Sequence, residues 1–202
     1  MNKGMKLLLI CITVLFACSS MTVYAVSPRY MFEYRWSNVL RTLTWNCNFE
    51  TARREEVRAA MNTWNAVTDS DGTALISAYL SNYVESDNTI GYTMSSLIPV
   101  ASTTPSFDGN GNLVSMRIVL NQNINWSTTP SPGTVDIQSV VLHELGHALC
   151  IMHCHDIGDI DPSENGCGVG LCPDNVMSPE IGTNEIRRTL TWYDIMQYQY
   201  GY

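Results

Sequence analysis

Residues 143–153 read HELGHALCIMH, and no other stretch constrains the fold so tightly. On a helix, side chains four apart lie one turn apart on the same face, so His143 and His147 point the same way and Glu144 is rotated off that face. Two imidazoles so placed can grip one Zn²⁺. A catalytic zinc takes three protein ligands and leaves the fourth place to water, which the carboxylate beside them can reach. His153 is the candidate third ligand, six residues beyond His147, and no straight helix brings it to the same point. Cys150 is a poorer candidate, since seven residues of continuous helix put it about 10.5 Å along the axis from His143. His155 is a more distant one. The motif therefore demands a helix, an abrupt stop and a sharp turn.

The rest of the chain offers elements on which such a helix can pack. Asp136 stands where it can cap a helix starting at Ile137, after the turn-forming run SPGTVD. Within FETARREEVRAAMNTWNAVTD (49–69), Val57, Ala60, Met61, Trp64 and Val67 recur at spacings of three and four, one apolar face of a long amphipathic helix. Arg53, Arg54, Glu55, Glu56 and Arg58 take its solvated faces. TLTWN (42–46), TALISAYL (73–80), NTIGYT (88–93) and LVSMRIVLN (113–121) read as strands, with the turn formers PSFDGNGN (105–112) before the last. Near the end, RRTLTWYDIMQYQYG (187–201) predicts a third helix, capped by Thr191 and turning Ile195 and Met196 inward. Strand, helix, several strands, helix, long loop, helix is an α/β arrangement, two helices backing one small sheet.

The N-terminus reads as an export signal. Lys3 and Lys6, the apolar run LLLICITVLFA (7–17) and VYA (23–25) have the form of a secretory signal peptide cut after Ala25. The eleven apolar residues fall short of the roughly 20 that span a bilayer. LFAC (15–18) is also a loose match to a lipoprotein signal, which would leave Cys18 lipidated. The expectation is a signal over 1–25 and one secreted domain over 26–202. Cleavage removes both lysines and takes the net charge from −8 to −10, a surface that repels polyanions and argues against nucleic-acid partners. No later apolar run is long enough to cross a membrane. Cys47, Cys150, Cys154, Cys167 and Cys172 remain, and their odd number leaves at least one outside an internal disulfide. Cys167 and Cys172 are placed to close a small loop.

HELGHALCIMH with NVMSP (175–179) resembles the metzincin peptidases, whose pattern is H-E-x-x-H-x-x-G-x-x-H followed by a methionine turn. Within them it is most similar to the matrixins and their bacterial relatives. RTLTWN, the long helix, IGYT, RIVLN with Trp126, DIQSVVLHELGHAL, VMSP and RRTLTWYDI follow in the family's order, so the resemblance covers nearly all of 26–202. It implies an α/β (α+β) metzincin-like catalytic domain. Its twisted five-stranded mixed sheet would have four parallel strands and one antiparallel edge, backed by two long helices, with an active-site helix, a Met-turn and a C-terminal helix. His143, His147 and His153 would hold one catalytic zinc, Glu144 would be the general base, and Met177 the floor under the metal. Ile90, Gly91 and Tyr92 would belong to the edge strand on which an extended peptide adds. Pro179 would wall the pocket for the side chain just past the cut.

The activity so implied is that of a secreted, monomeric zinc endopeptidase that hydrolyses protein or peptide substrates with a zinc-activated water. Matrixins often carry calcium, and Asp156, Asp159, Asp161, Glu164 and Asp174 offer oxygen ligands for Ca²⁺, as does SFDGNGN (106–112) more weakly. Neither spacing matches a defined calcium loop, so a solvated acidic loop is the plainer reading. Two departures from the family pattern stand out. Residues 26–41 leave no room for an inhibitory prodomain. Cys150 occupies the family's glycine, where the chain leaves the helix and often needs φ > 0, a region disfavoured by about 1–2 kcal/mol for an L-residue. A Cys150–Cys154 bond would brace that turn. The departure at 150 keeps a second reading open, a catalytically impaired, zinc-stabilised binding protein of the same fold. An intact Glu144 argues against it, because a structural zinc has no use for a base.

Overall fold

The computed structural model describes residues 22–24, 36, 42–68, 72–73, 77–81, 86–153 and 174–201. Strand β2 (Thr42–Cys47) alternates strictly, burying Leu43, Trp45 and Cys47 and leaving Thr42 and Thr44 exposed, as a strand covered on one face must. Helix α1 (Thr51–Asn65) buries Val57, Ala60, Met61 and Trp64, the expected apolar stripe, and Val67 is buried just past its end. Strands β3 (Ser77–Leu80), β4 (Asn88–Thr93), β5 (Ala101–Phe107) and β6 (Leu113–Asn121) complete a five-stranded mixed sheet in the order β3-β2-β4-β6-β5. The first four are parallel to their neighbours, and β5 lies antiparallel on β6 at the edge.

That order corrects one expectation. Ile90, Gly91 and Tyr92 lie in β4, a strand between β2 and β6: Ile90 is opposite both Cys47 and Ile118, while Gly91 and Tyr92 pair with Val119 and Leu120 of β6. β4 is therefore an internal strand and not the edge of the sheet. The antiparallel edge is β5, ASTTPSF, which carries no alternating apolar pattern to mark it in the sequence. Only Ala101 and Thr103 turn fully inward, and Pro105 is tolerated because an edge strand can spare an N–H.

A short parallel pair, β7 (Trp126–Ser127) with β8 (Val135–Asp136), delivers the chain to α2 (Ile137–Ala148), all of whose residues are buried. The Trp64 indole N–H donates to Leu142 O at 2.8 Å, tying α1 to α2, and the Trp36 indole donates to Ala148 O at 2.9 Å. Strand β9 (Glu180–Gly182) pairs antiparallel with β1 (Thr22–Tyr24). Helix α3 (Trp192–Gly201) begins after Thr191, which exchanges hydrogen bonds with Asp194 in the pattern of a capping box. Its inward residues are Tyr193, Asp194, Gln197 and Tyr198, while Ile195 and Met196 are half-buried, so the inward face is rotated from the expected one and partly polar. Among the described residues no helix is long and apolar enough to cross a membrane. Residues 1–21, with Cys18, and the stretch 154–173, with Cys154, Cys167, Cys172 and most of the acidic calcium candidates, lie outside the described residues.

Candidate metal centre

The site is built on α2, and both ends of that helix are fastened. At its start the Asp136 carboxylate, fully buried, accepts from Ser139 N at 3.0 Å and from the Ser139 hydroxyl at 2.5 Å. Arg188 adds a two-pronged pair, Nε to Oδ2 at 2.9 Å and Nη2 to Oδ1 at 2.5 Å. At its end Cys150 N donates to His147 O (2.9 Å) and Ile151 N to Gly146 O (3.0 Å), the two bonds of a Schellman motif. Cys150 is the residue that turns, with φ 63. The positive φ expected at this position is present with cysteine in the place glycine usually takes.

That turn aims the ligands. His147 Nδ1 lies 2.8 Å from Ile151 O, and His143 Nδ1 lies 2.7 Å from Val176 O. A carbonyl only accepts, so each Nδ1 carries the proton and each Nε2 keeps a bare lone pair. His153 returns to the same place, its Nε2 3.1 Å from that of His147. The ligand atoms of His143, His147 and His153 all lie within 4.8 Å of one another. Tetrahedral zinc with N ligands at about 2.05 Å places them ~3.3 Å apart, so modest contraction closes the triad on one ion. All three rings are buried, and His143 Nε2 has no hydrogen-bond partner. A desolvated lone pair left unpartnered at His143 Nε2 is unfavourable, and a cation shared with His147 and His153 removes the problem. Burial and the neighbouring His153 hold His143 down to about 3, and burial with His143 beside it holds His147 well below its ordinary range. Both are thus kept in the neutral form a metal needs.

Glu144 is fully buried next to this cluster. Its Oε2 accepts from the Thr103 hydroxyl at 2.6 Å, while Oε1 has no hydrogen-bond partner. Burial pushes the carboxyl up to about 8. Met177, fully buried, lies against α2 at Gly146: a Cβ there would come within 2.3 Å of Met177 Sδ and 3.0 Å of Trp64 Cζ2. Gly146 is therefore needed for its missing side chain, because the methionine fills that space. The turn that carries Met177 is held in place by Asp194, whose carboxylate accepts from Val176 N at 3.2 Å and Met177 N at 3.1 Å.

A narrow cleft lies beside His143, lined by Val140, Val176, Pro179, Ile181 and Arg187 among others. Pro179 thus reaches the site. Ile90, Gly91 and Tyr92 do not, and border a separate cavity with Asn46 and Arg117. The 106–112 loop spends its one carboxylate on itself, since Asp108 accepts from Asn110 N, Asn112 N and the Asn112 side chain. Thr103, Gly146, Asp194 and Arg188 were not singled out for the site by the sequence. Only Asp194 carried a local signal, the T-x-x-D spacing from Thr191. Searches of protein-family models and of curated proteins found no match to this chain.

Proposed function

We propose that the chain is a zinc-dependent endopeptidase of the metzincin type, secreted and acting on protein or peptide substrates. The observation that carries this is the pairing of two unmet needs in one buried spot: a histidine triad with converging ligand atoms, and a neighbouring carboxylate with one oxygen unbonded. The triad's donor set, three neutral imidazoles, suits zinc among the common ions. When bound by His143, His147 and His153, zinc would supply Lewis acidity toward a scissile carbonyl and a water of lowered pKa. Glu144 Oε1 is the acceptor for the proton that water must lose, and the same carboxyl returns it to the departing amine nitrogen. An extended substrate would add to β5, the edge strand among the described residues, and the cleft walled by Pro179 would receive the side chain past the cut.

The binding-protein alternative draws on Cys150. The turn's backbone hydrogen bonds form with cysteine in place, which weakens that alternative. The test is metal content and cleavage of an unfolded protein substrate. Wild type should carry about one zinc per chain and cleave. Glu144→Ala should keep zinc and lose on the order of 10²–10⁴ in turnover, and His153→Ala should lose zinc as well. Equal turnover in wild type and Glu144→Ala would move the case to the binding protein.

A further inference from the structure

We infer that Thr103 is the positioning residue for the general base: its hydroxyl holds Glu144 Oε2, so that Oε1 alone is presented to the reacting groups. This rests on the peptidase reading above. Thr103 sits on the inner face of β5, opposite Ile118, and is fully buried. Its Oγ lies 2.6 Å from Glu144 Oε2 and 3.0 Å from Glu144 O. The hydroxyl has one proton to donate, and the contact to Oε2 is the shorter of the two; full burial on β5 leaves the side chain little freedom.

A glutamate carboxylate has two equivalent oxygens and three side-chain torsions that can move them. For proton transfer only one oxygen need face the water, and misplacement by about 1 Å can reduce the rate ~10²-fold. A fixed bond to Oε2 removes the flip and the swing together. Of the described side chains, Thr103 is the one that bonds this carboxylate, and Oε1 is left without a partner inside a protein interior where such atoms are rare. The location adds a second consequence. Ser102 and Thr104, on either side of Thr103, alternate away from the core on the strand whose outer edge has no partner strand among the described residues. The backbone that would set the register of a docked peptide is the backbone that sets the position of the base.

The experiment compares Thr103→Val, which keeps shape and removes the hydroxyl, with Thr103→Ser, which keeps the hydroxyl and loses packing. Both are made in the zinc-loaded full chain and assayed for kcat and KM on a peptide, and for binding of a peptidyl hydroxamate, whose hydroxyl needs an acceptor beside the metal. Thr103→Val should lose about 10- to 100-fold in kcat with KM within about 3-fold, and should weaken hydroxamate binding about 10-fold. Thr103→Ser should retain kcat within about 3-fold although its core is less well filled. In a Glu144→Ala background the Val substitution should leave hydroxamate binding unchanged, because the interaction being removed is with that carboxylate. Loss of kcat in Thr103→Ser equal to that in Thr103→Val, or a hydroxamate effect that persists without the carboxylate, overturns the inference and makes Thr103 a packing residue. A wild type that binds zinc but shows no Glu144-dependent cleavage defeats the peptidase reading instead. The hydroxamate comparison then decides the Thr103 contact by itself.

Discussion

The two ends of α2 are held by opposite means. At the N-terminal end side chains converge: Asp136 takes bonds from Ser139 and from both prongs of Arg188, and Arg188 also reaches Thr128 O at 2.7 Å. At the C-terminal end the backbone closes on itself through Cys150 at φ 63, with His147 and Ile151 locked to each other across the turn. One end depends on charge and the other on shape. The charged end fixes where the helix starts. The turned end fixes where two imidazoles point, and a ligand set tolerates error in direction far less than error along the axis.

The largest effect is expected from breaking the charged end. Asp136→Ala removes the cap and leaves Arg188 with Thr128 O and, among the described carboxylates, the more distant Glu56, 3.6 Å away. Loss of one member of a buried pair typically costs about 3–5 kcal/mol. Because Arg188 is 30% exposed, the lower figure applies. Urea unfolding of the variant measures it, and a loss below about 1 kcal/mol would mean the helix start is held by packing alone.

Gly146→Ala tests the shaped end at its most crowded point. The added Cβ meets Met177 Sδ at 2.3 Å, and the methionine, fully buried between α2 and its own turn, has little room to move. Overpacking of this kind costs about 1–3 kcal/mol. The turn that carries Met177 also holds His143 through Val176 O, so zinc affinity should fall with stability. A variant with wild-type stability and zinc affinity would show that Met177 yields freely and that the close approach is incidental.

How far these ends were legible in the sequence differs in the same way. Asp136 as a cap followed from its place before a periodic apolar run, but its pairing with Arg188 spans 52 residues and leaves no local trace. His143, Glu144 and His147 follow from helical spacing, while the return of His153 was legible only as a condition on the turn. The sheet shows the same limit. β2 and α1 carry periodic apolar patterns because one face is buried and the other wet, while β6 shows as an apolar run because Ile118, Val119 and Leu120 are all buried. β5 buries only Ala101 and Thr103 along its inner face, so nothing in ASTTPSF marks it as the edge, and NTIGYT drew that assignment although its two-sided pairing makes it internal. Thr103 was invisible for the same reason, since its partner lies on another element.

Chelation exposes a third contrast, because the metal-free helix carries groups that titrate in opposite directions. His143 and His147 have folded values depressed from 6.5, so their contribution is present above pH 6.5 and is lost as pH falls and the unfolded chain takes up protons. Glu144 is raised from 4.5 to about 8, so its contribution is present below pH 4.5 and is lost as pH rises through about 8. Between pH 8 and 6.5 only the carboxyl acts, and acidification stabilises. Between 6.5 and 4.5 two imidazoles outweigh one carboxyl, and acidification destabilises by about 1.4 kcal/mol per pH unit for the net proton. Stability of the chelated protein should therefore peak near pH 6.5. A steady rise in stability from pH 7 down to 5 would show that the imidazoles are not desolvated in the metal-free fold.

The smallest effect concerns Cys150 and separates conformation from packing. Cys150→Gly relieves a φ of 63 worth about 1–2 kcal/mol, but glycine's unfolded-state freedom takes back up to about 1 kcal/mol. The buried thiol's packing is lost too, so the change from wild type should be close to zero. Cys150→Ala loses the same side chain and keeps the strained backbone. Comparing the two variants therefore cancels packing, and it equally cancels any disulfide Cys150 makes with the 154–173 loop. What remains is the turn itself. Cys150→Gly should be the more stable of the two by up to about 1 kcal/mol, with zinc stoichiometry equal in both, because the turn's two bonds are made by backbone atoms. Equal stability would mean the left-handed conformation is not what residue 150 supplies. A lower zinc content in Cys150→Gly would mean the side chain, and not the turn, brings His153 to His147.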